Sequence, residues 1–164
     1  MLYTRNGDCG KSSLIGKNDV PKDDIIFDIL GTVDELSAFL GLAKLSCGSD
    51  TALKAEEIQK ELIEVCAAFA GGKAFDFSEA VKNTEKKTDA LSTHNDCLHE
   101  FVLYGKSEAS ARFDISRAVC RRVERLVVKY SACAECPENS VAYFNRLSDY
   151  LYIMARCEEK GRNF

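Results

Sequence analysis

Long segments with apolar residues at helical spacing constrain this chain more than any other feature, because only two prolines interrupt them in 164 residues. A proline in a helix interior costs about 3 kcal/mol, so its near absence leaves these segments free to be helical. The pattern predicts an all-α fold with five helices. The predicted ranges are about Asp24 to Leu45, Asp50 or Thr51 to the Gly71-Gly72 pair, an irregular helix with loops within 73–99 that Ser78 could cap, Ser107 to Tyr130, and Asn139 to Glu159.

The length and composition indicate one globular domain. A chain of this size buries about two-thirds of its unfolded surface, and 46% of its residues are hydrophobic. Helices of the predicted length with short connections pack as an up-and-down bundle. We therefore predict a single domain over residues 1–164, in which an N-terminal loop over 1–23 precedes a helical bundle over 24–159.

Charge, hydropathy and cysteine usage exclude several classes of function. A net charge of −4 and a pI near 5.3 argue against a general nucleic-acid-binding protein. No apolar run is long enough to span a membrane, and the N-terminus lacks the apolar core of a signal peptide. Eight scattered cysteines fit reduced thiols, so we expect a cytoplasmic protein with no nucleic-acid or membrane partner.

One cysteine pair, Cys133 and Cys136, has the spacing of a metal-binding motif. A structural zinc site needs a second pair, which the sequence lacks, although Cys97 and His99 could supplement the first. The alternative is a plain turn between helices, closed by Pro137. We favour the turn and predict no protein metal site.

The N-terminal stretch TRNGDCGKSS, residues 4–13, has the composition of a phosphate-binding loop. A P-loop needs a glycine five residues before its Gly-Lys pair, and that position is Arg5. No buried strand precedes the stretch and no helix start follows it, so a P-loop is excluded. Backbone N–H groups at Gly7 and Gly10 could still approach an anion, which leaves a different phosphate grip and a mobile terminal loop as open alternatives. The hydroxyl donors are Thr4, Ser12 and Ser13, and the cations are Arg5, Lys11 and Lys17.

The fourth predicted helix concentrates charge on one face. At 100° per residue, an arc of about 100° holds Asp114, Arg117, Arg121, Glu124 and Arg125, with Arg122 just outside it. Arginines outnumber carboxylates there, and a guanidinium fork fits phosphate oxygens. The alternative is a solvated face with salt bridges between residues four apart. The fifth helix carries a second polar stripe of Asn145, Asp149, Tyr152 and Arg156, in which Asn145 could contact a ribose or a base.

Three segments together resemble one known family, the PduO-type ATP:corrinoid adenosyltransferases. YTRNGDCGKSSLIG and VPKDD resemble its nucleotide loop, GTVDELSAFLGLA its first helix, and CRRVERLVV and NRLSDYLYIMAR its last two helices. These motifs occur in the family's order over most of 3–47 and 101–157, whereas 73–99 matches poorly. The resemblance implies a five-helix bundle assembled as a homotrimer, with active sites between subunits.

The resemblance also implies a reaction and its residues. The 5′-deoxyadenosyl group of ATP would pass to cob(I)alamin with release of triphosphate, and Mg²⁺ would be held mainly through the triphosphate. The implied ATP-binding residues are Thr4, Arg5, Asn6, Gly7, Asp8, Ser12, Ser13, Lys22, Arg121, Arg122, Glu124, Arg125 and Asn145. The implied catalytic residues are Arg121, Phe101, Asp34 and Arg117, of which the last three would face cobalamin. Phe101 would displace the lower axial ligand of cobalt. Further implied partners are a flavoprotein reductase and an adenosylcobalamin-dependent enzyme.

Two departures from the family pattern lie on the corrinoid side. After Phe101 the family usually continues Ile-Leu-Pro-Gly-Gly, whereas this chain reads Val-Leu-Tyr-Gly-Lys over 102–106. Asp114 stands where His or a neutral polar residue is expected. The altered loop keeps a second hypothesis open, in which the protein binds ATP or adenosylated corrinoid as a sensor or delivery protein with little turnover. A third hypothesis is a purely structural helical bundle.

Overall fold

The computed structural model describes residue 5, residues 7–93 and residues 102–160. Five α-helices account for most of these residues, as predicted, but a two-stranded sheet precedes them, so the fold is not strictly all-α. In chain order the elements are β1 Lys11–Leu14, β2 Lys17–Pro21, α1 Ile25–Lys44, α2 Ser49–Phe69, α3 Phe77–Ser92, α4 Glu108–Ser131 and α5 Ser140–Lys160. None of the described helices is both long enough and apolar enough to cross a membrane.

The hairpin of β1 and β2 corrects the prediction of a chain without strands. The two strands pair antiparallel, and the turn between them places Gly16 at a φ of 76°, where a residue without a Cβ is favoured. Val20 is the one buried residue of the two strands. The hairpin therefore lacks the alternation of apolar and polar residues by which a half-buried strand is predicted from sequence.

The turn of the hairpin is fastened to the end of α2. The backbone N–H of Ile15 donates to the carbonyl of Ala70 at 2.9 Å. Gly71 adopts a φ of 85°, and a Cβ on it would lie only 2.8 Å from the carbonyl oxygen of Ile15. The glycine pair that was predicted to end the second helix therefore also makes room for the N-terminal segment.

Side-chain caps explain where α1 and α4 begin. The carboxylate of Asp24 accepts the N–H of Ile26 at 3.0 Å, which satisfies a backbone donor at the start of α1. The Ser107 hydroxyl accepts the N–H of Ser110 at 3.0 Å, and the Ser110 hydroxyl accepts the N–H of Ser107 at 3.1 Å. Both helices begin within one residue of the predicted position.

The third helix is more regular than predicted. It begins after Asp76, whose carboxylate accepts the N–H of Glu79 at 3.0 Å, and so Ser78 is not its cap. Only Phe77, Ala80 and Thr84 are buried along it. So narrow an apolar face, surrounded by charged residues, does not give a clear helical period in the sequence.

The core lies between α4 and its neighbours. α1 and α5 both pack against α4, while α1 also packs on α2 and α5 on α3. Large apolar side chains fill the space between them, and burying each contributes about 1.5–3 kcal/mol. The largest fully buried apolar side chains include Ile29, Leu36, Leu40, Ile58, Leu62, Phe113, Phe144, Leu147 and Leu151. This packing fixes which faces of α4 and α5 remain available to a ligand.

Candidate functional site

The N-terminal segment forms a tight turn beside a lysine. Arg5 has a left-handed φ of 63°, and its carbonyl accepts the N–H of Asp8 at 3.2 Å. Lys22 lies over Gly7, because a Cβ on that glycine would come within 2.9 Å of the Lys22 Nζ. The backbone N–H of Lys22 also donates to the carbonyl of Gly10 at 2.9 Å. The structure thus gathers part of the predicted phosphate grip around one turn.

Ser12 and Ser13 follow along β1. Successive side chains of a strand point to opposite faces, so we expect only one of the two hydroxyls to share a ligand with Lys22. Ser12 is half-buried and Ser13 is exposed. Thr4 and Asn6, which were also predicted to bind ATP, lie outside the described residues.

The hairpin lies at the same end of the molecule as the C-terminal end of α4. A cleft of about 390 Å³ separates them, with Ile15 and Lys17 on one side and Tyr130 and Cys133 on the other. The predicted phosphate-binding segment is therefore close to the end of the helix that carries the predicted ATP-binding arginines.

Three predicted ATP-binding residues form one chain of contacts across α4 and α5. Glu124 Oε1 accepts a hydrogen bond from Asn145 Nδ2 at 2.9 Å, and Glu124 Oε2 lies 3.9 Å from Arg121 Nη1. Glu124 and Asn145 also line a groove of about 550 Å³ between the end of α4 and the start of α5. The Arg121 side chain keeps 45% of its surface exposed, so its guanidinium is accessible to an anion.

The other two arginines of this face differ from each other. Arg122 forms an ion pair with Glu35 of α1, which neutralises it within the protomer. Arg125 is exposed, and none of the ion pairs found among the described residues involves it. Arg121 and Arg125 together therefore exceed the one carboxylate, Glu124, that accompanies them.

Asp114 does not belong to this exposed face. It is buried, and its Oδ2 accepts a hydrogen bond at 2.6 Å from Nη2 of Arg156, which is also buried. Glu159 Oε1 lies 3.1 Å from the same nitrogen. Burial raises the pKa of the Asp114 carboxyl, and the Arg156 guanidinium opposes that shift. Asp114 and Arg156, which the sequence placed on polar stripes of the fourth and fifth helices, therefore pair with each other inside the bundle.

Arg117 lies one helical turn beyond Asp114 and closer to the surface. Its guanidinium carbon is 5.5 Å from the centre of the Tyr152 ring, and the guanidinium carbon of Arg156 is 4.9 Å from the same centre. Arg117 Nη1 also donates to the hydroxyl of Tyr104 at 3.3 Å. Arg117 is therefore held by aromatic side chains from α5 and from the segment that precedes α4.

None of the ion pairs found among the described residues joins Asp34 to Arg117, the predicted pair. Asp34 is exposed on α1, and its charge contributes to raising the pKa of Cys66 on α2. Arg117 contacts Tyr104 and Tyr152 instead. Phe101, which was predicted to face cobalamin with them, lies outside the described residues.

The connection between α4 and α5 contains the Cys133 and Cys136 pair. The Cys133 thiol donates to the carbonyl of Tyr130 at 3.3 Å, and Cys136 Sγ lies 3.2 Å from the Ser140 hydroxyl. Over residues 5, 7–93 and 102–160, no three histidine, cysteine or acidic side chains are placed to hold a metal ion. Cys97 and His99, considered as supplements, lie outside that range.

Several contacts at the site escaped sequence reasoning. In the sequence, Tyr104 and Lys106 stand out only as departures from a family pattern, and no pattern assigns a role to Glu35 or Glu159. Lys106 Nζ lies 3.5 Å from Glu159 Oε2, although 53 positions separate them in the printed sequence. Pairings between distant segments leave no periodic signal in a single sequence, which is why the fold was needed to find them.

Comparison with known proteins identifies the family. The family model for cobalamin adenosyltransferase matches residues 2–158. A corrinoid adenosyltransferase of Citrobacter freundii is 34% identical over 166 residues, which cover 96% of this chain and 94% of the relative. The corrinoid adenosyltransferase MMAB of Mus musculus is 35% identical over 168 residues, which cover 94% of this chain and 71% of the relative.

Solved structures agree with the sequence matches. A variant PduO-type ATP:corrinoid adenosyltransferase from Lactobacillus reuteri, complexed with cobalamin and ATP, matches with a TM-score of 0.90 and 27% identity over 97% of this chain and 91% of that chain. A second variant, complexed with ATP, gives a TM-score of 0.88 and 28% identity over 96% of this chain and 94% of that chain. Because sequence and fold match over nearly the whole length, the chain belongs to the cobalamin adenosyltransferase family.

Proposed function

We propose that this protein transfers the 5′-deoxyadenosyl group of ATP to cob(I)alamin, which yields adenosylcobalamin and triphosphate. The observation that carries the proposal is the family match over residues 2–158. It is supported by the close likeness to a corrinoid adenosyltransferase that is complexed with cobalamin and ATP. The accessible Arg121, next to a groove that could hold a nucleoside, agrees with this activity.

The reaction is a displacement at C5′ of ATP. The electron pair on cobalt forms the Co–C5′ bond while the C5′–O bond breaks, and triphosphate leaves with that bonding pair. Reduced cobalt is itself a strong nucleophile, so the protein need not supply a base. Its tasks are to align C5′ with cobalt and to stabilise the negative charge that gathers on the leaving triphosphate.

Arg121 is the group that stabilises the leaving triphosphate in this proposal. Its guanidinium is exposed, and Glu124 holds it from one side. A single preorganised donor of this kind lowers a barrier by about 3–4 kcal/mol. Arg125 adds charge on the same face, and Asn145 holds the nucleoside in the groove that it lines. Arg122, which is already paired with Glu35, contacts ATP from the edge.

The N-terminal segment surrounds the triphosphate. The turn that brings the lysine Nζ over Gly7 supplies backbone N–H groups and positive charge for phosphate oxygens. The oxygen ligands that the segment offers are hydroxyls and the exposed carboxylate of Asp8. Such ligands suit a hard cation such as Mg²⁺, which would be held mainly by the oxygens of the nucleotide. The segment residues assigned to ATP are Thr4, Arg5, Asn6, Gly7, Asp8, Ser12, Ser13 and Lys22.

Asp34, Arg117 and Phe101 face cobalamin in the proposed site. Arg117 contacts Tyr152 and Tyr104 within its own protomer, and we assign its ion pair with Asp34 to the boundary between two chains. Phe101 supplies an apolar ring in place of the lower axial ligand, which makes the cobalt easier to reduce.

The functional unit in this proposal is a homotrimer of up-and-down bundles, with each site between two chains. Contacts within the protomer support antiparallel neighbours, since Arg112 donates to the carbonyl of Leu42 at one end of the α1–α4 pair and Arg122 meets Glu35 further along. Leu45 remains 79% exposed in a single chain, which fits a face that another protomer covers. Sedimentation equilibrium should give three times the protomer mass of 18.2 kDa.

Two partner proteins and a compartment complete the proposal. A flavoprotein reductase supplies the electrons that reduce cobalamin, and an adenosylcobalamin-dependent enzyme uses the product. We place the protein in the cytoplasm on the strength of its free thiols, of which Cys9 and Cys133 are exposed.

An anaerobic assay with ATP, Mg²⁺ and chemically reduced cobalamin tests the proposed activity. We expect the cob(I)alamin absorbance to fall only when ATP is present, with adenosylcobalamin as the product. If calorimetry shows ATP binding while cob(I)alamin is not consumed, the sensor or delivery function replaces the enzyme. If ATP does not bind at all, the structural hypothesis replaces both.

A further inference from the structure

The segment 102–106, which departs from the family pattern, is attached to the body of the protein at both of its polar side chains. The Tyr104 hydroxyl accepts a hydrogen bond from Arg117 Nη1 at 3.3 Å. Lys106 Nζ lies 3.5 Å from Glu159 Oε2 near the end of α5. Directly after the segment, the Ser107 hydroxyl lies 3.2 Å from the carbonyl of Glu158 and is placed to donate to it.

The two residues that bind Tyr104 and Lys106 are Arg117 and Glu159, and both lie next to a buried ionic cluster around Arg156. Arg156 is 1% exposed and pairs with Asp114 at 2.6 Å and with Glu159 at 3.1 Å. A buried guanidinium with two carboxylates has few alternative arrangements, because leaving either carboxylate would expose unpaired charge to an apolar interior. Glu159 therefore offers Lys106 a fixed carboxylate.

Arg117 is fixed from the same cluster through an aromatic ring. The ring of Tyr152 contacts the guanidinium groups of both Arg117 and Arg156, at 5.5 and 4.9 Å from its centre. Arg156 cannot move without losing Asp114, so it holds the ring that Arg117 packs on. Tyr104 consequently binds a guanidinium whose position is already set.

The anchored segment presents apolar surface to the outside. Leu103 is 87% exposed and Tyr104 is 62% exposed, although both are large and largely apolar. Tyr104 contacts Arg117, which the proposed function assigns to the corrinoid. A corrin ring is broad, mostly apolar and edged with amides, and a surface with exposed apolar groups and a fixed cation suits such a ligand.

We propose that Tyr104 and Lys106 are positioning residues that hold segment 102–106 as one wall of the corrinoid site. This inference rests on the proposed function, because it takes Arg117 to face the corrinoid. The two side chains act through Arg117 and Glu159, and they set affinity for the corrinoid without touching the ATP side of α4.

Tyr104→Phe removes only the hydroxyl and tests the first anchor. The loss of one hydrogen bond should raise the KM for cob(I)alamin about fivefold. The KM for ATP and the melting temperature should stay the same, because the side chain is mostly exposed. Tyr150→Phe is the matched control, since that ring is buried elsewhere on α5, and neither KM should change.

Lys106→Gln tests the second anchor, the ion pair between Lys106 and Glu159. Because solvent partly screens this pair, the expected rise in the KM for the corrinoid is about twofold. Lys106→Arg should restore the parent value. If the anchors act independently, the double variant Tyr104→Phe/Lys106→Gln should raise the corrinoid KM about tenfold. Lys60→Gln, which breaks a comparable pair with Glu56 on α2, should change nothing.

A titration of the ATP-bound protein with cob(II)alamin, followed by absorbance, separates this proposal from the proposed function. If the parent protein binds cob(II)alamin but consumes no cob(I)alamin, the enzyme proposal fails while the anchors are still tested by the change in Kd. An unchanged corrinoid Kd in the double variant would overturn the positioning role. So would a parallel rise in the KM for ATP or a lower melting temperature, because either marks a general structural role.

Discussion

The pair of helices α4 and α5 carries charge at both ends, and the two ends use it in opposite ways. Towards the end of α4, Arg121 and Glu124 lie on an accessible face beside a groove. Towards the start of α4, Asp114 and Arg156 are buried and neutralise each other. At each end an arginine lies close to a carboxylate, but only the pair towards the start of α4 is buried.

Burial, rather than charge pattern, therefore distinguishes an arginine that is available to a ligand from one that has a structural role. An exposed arginine keeps its donors for a substrate, while a buried one must have its partners inside the protein. The buried end can fix the geometry of its neighbours, and the accessible end can meet a ligand that arrives from solvent.

Arg121→Lys should have the largest effect on activity, and that effect should fall on turnover alone. Lysine keeps the charge but loses the planar fork, so kcat should fall about 100-fold while the KM for ATP changes little. Single-turnover rates and an ATP titration measure the two quantities. Arg112→Lys on the same helix is the control and should keep full activity. An unchanged kcat for Arg121→Lys would remove Arg121 from the chemistry.

Asp114→Ala should act on stability, since it leaves the Arg156 guanidinium buried without its closest partner. Loss of one partner of a buried pair costs about 3–5 kcal/mol, which urea unfolding monitored by circular dichroism would detect. Glu56→Gln, which breaks an exposed pair with Lys60, should leave the free energy of unfolding nearly unchanged. Equal stabilities for the two variants would contradict the contrast between the ends.

Gly71→Ala should moderately lower stability and weaken ATP binding, because Gly71 contacts the turn of the N-terminal hairpin. Its φ of 85° costs an alanine about 1–2 kcal/mol, and the new Cβ would clash with the carbonyl of Ile15. We expect a lower melting temperature and a higher KM for ATP, with the corrinoid KM unchanged. Gly48→Ala is the control, because that glycine has a φ of −66° and open space around it. A normal KM for ATP in Gly71→Ala would show that the hairpin does not position the phosphate grip.

The smallest expected effect is a difference in alkylation rate between the partly buried Cys66 and the exposed cysteines. Burial, with a contribution from Asp34, raises the pKa of Cys66 to about 11, so at pH 8 only about one thiol in a thousand is a thiolate. Iodoacetamide at pH 8, followed by mass spectrometry, should label the exposed Cys9 and Cys133 and leave Cys66 unlabelled. Labelling of Cys66 should increase as the pH approaches its pKa. Equal labelling of all three at pH 8 would show that the α1–α2 interface opens readily.

The sequence predicted those parts of the fold in which one chain segment carries its own signal. α1, α4 and α5 have wide apolar stripes, and α1 and α4 have side-chain caps at Asp24 and Ser107, so their limits were predicted closely. The hairpin was missed because Val20 is the one buried residue of its two strands, which leaves no alternation of apolar and polar residues. α3 was predicted as irregular because polar residues surround its three buried side chains.

The candidate site was predictable to the extent that it follows one helix. Helical spacing grouped Arg121 with Glu124, and the family resemblance added Asn145, which the structure places in contact with Glu124. Their role in binding ATP stays a prediction. The burial of Asp114 with Arg156 could not be deduced, since it depends on how two helices are rotated against each other. The anchors of segment 102–106 depend in addition on a connection that has no periodic pattern.

The unbroken course of α4 from Glu108 to Ser131 has a consequence for the distance between Arg117 and Arg121, the residues proposed to contact the two substrates. Arg117 and Arg121 are four residues apart on this one rod, which fixes about 6 Å between their backbones along its axis. A single residue inserted between them would swing one side chain by about 100° around the rod, even with both arginines retained. The number of residues between Arg117 and Arg121 therefore matters as much as the identity of the two side chains.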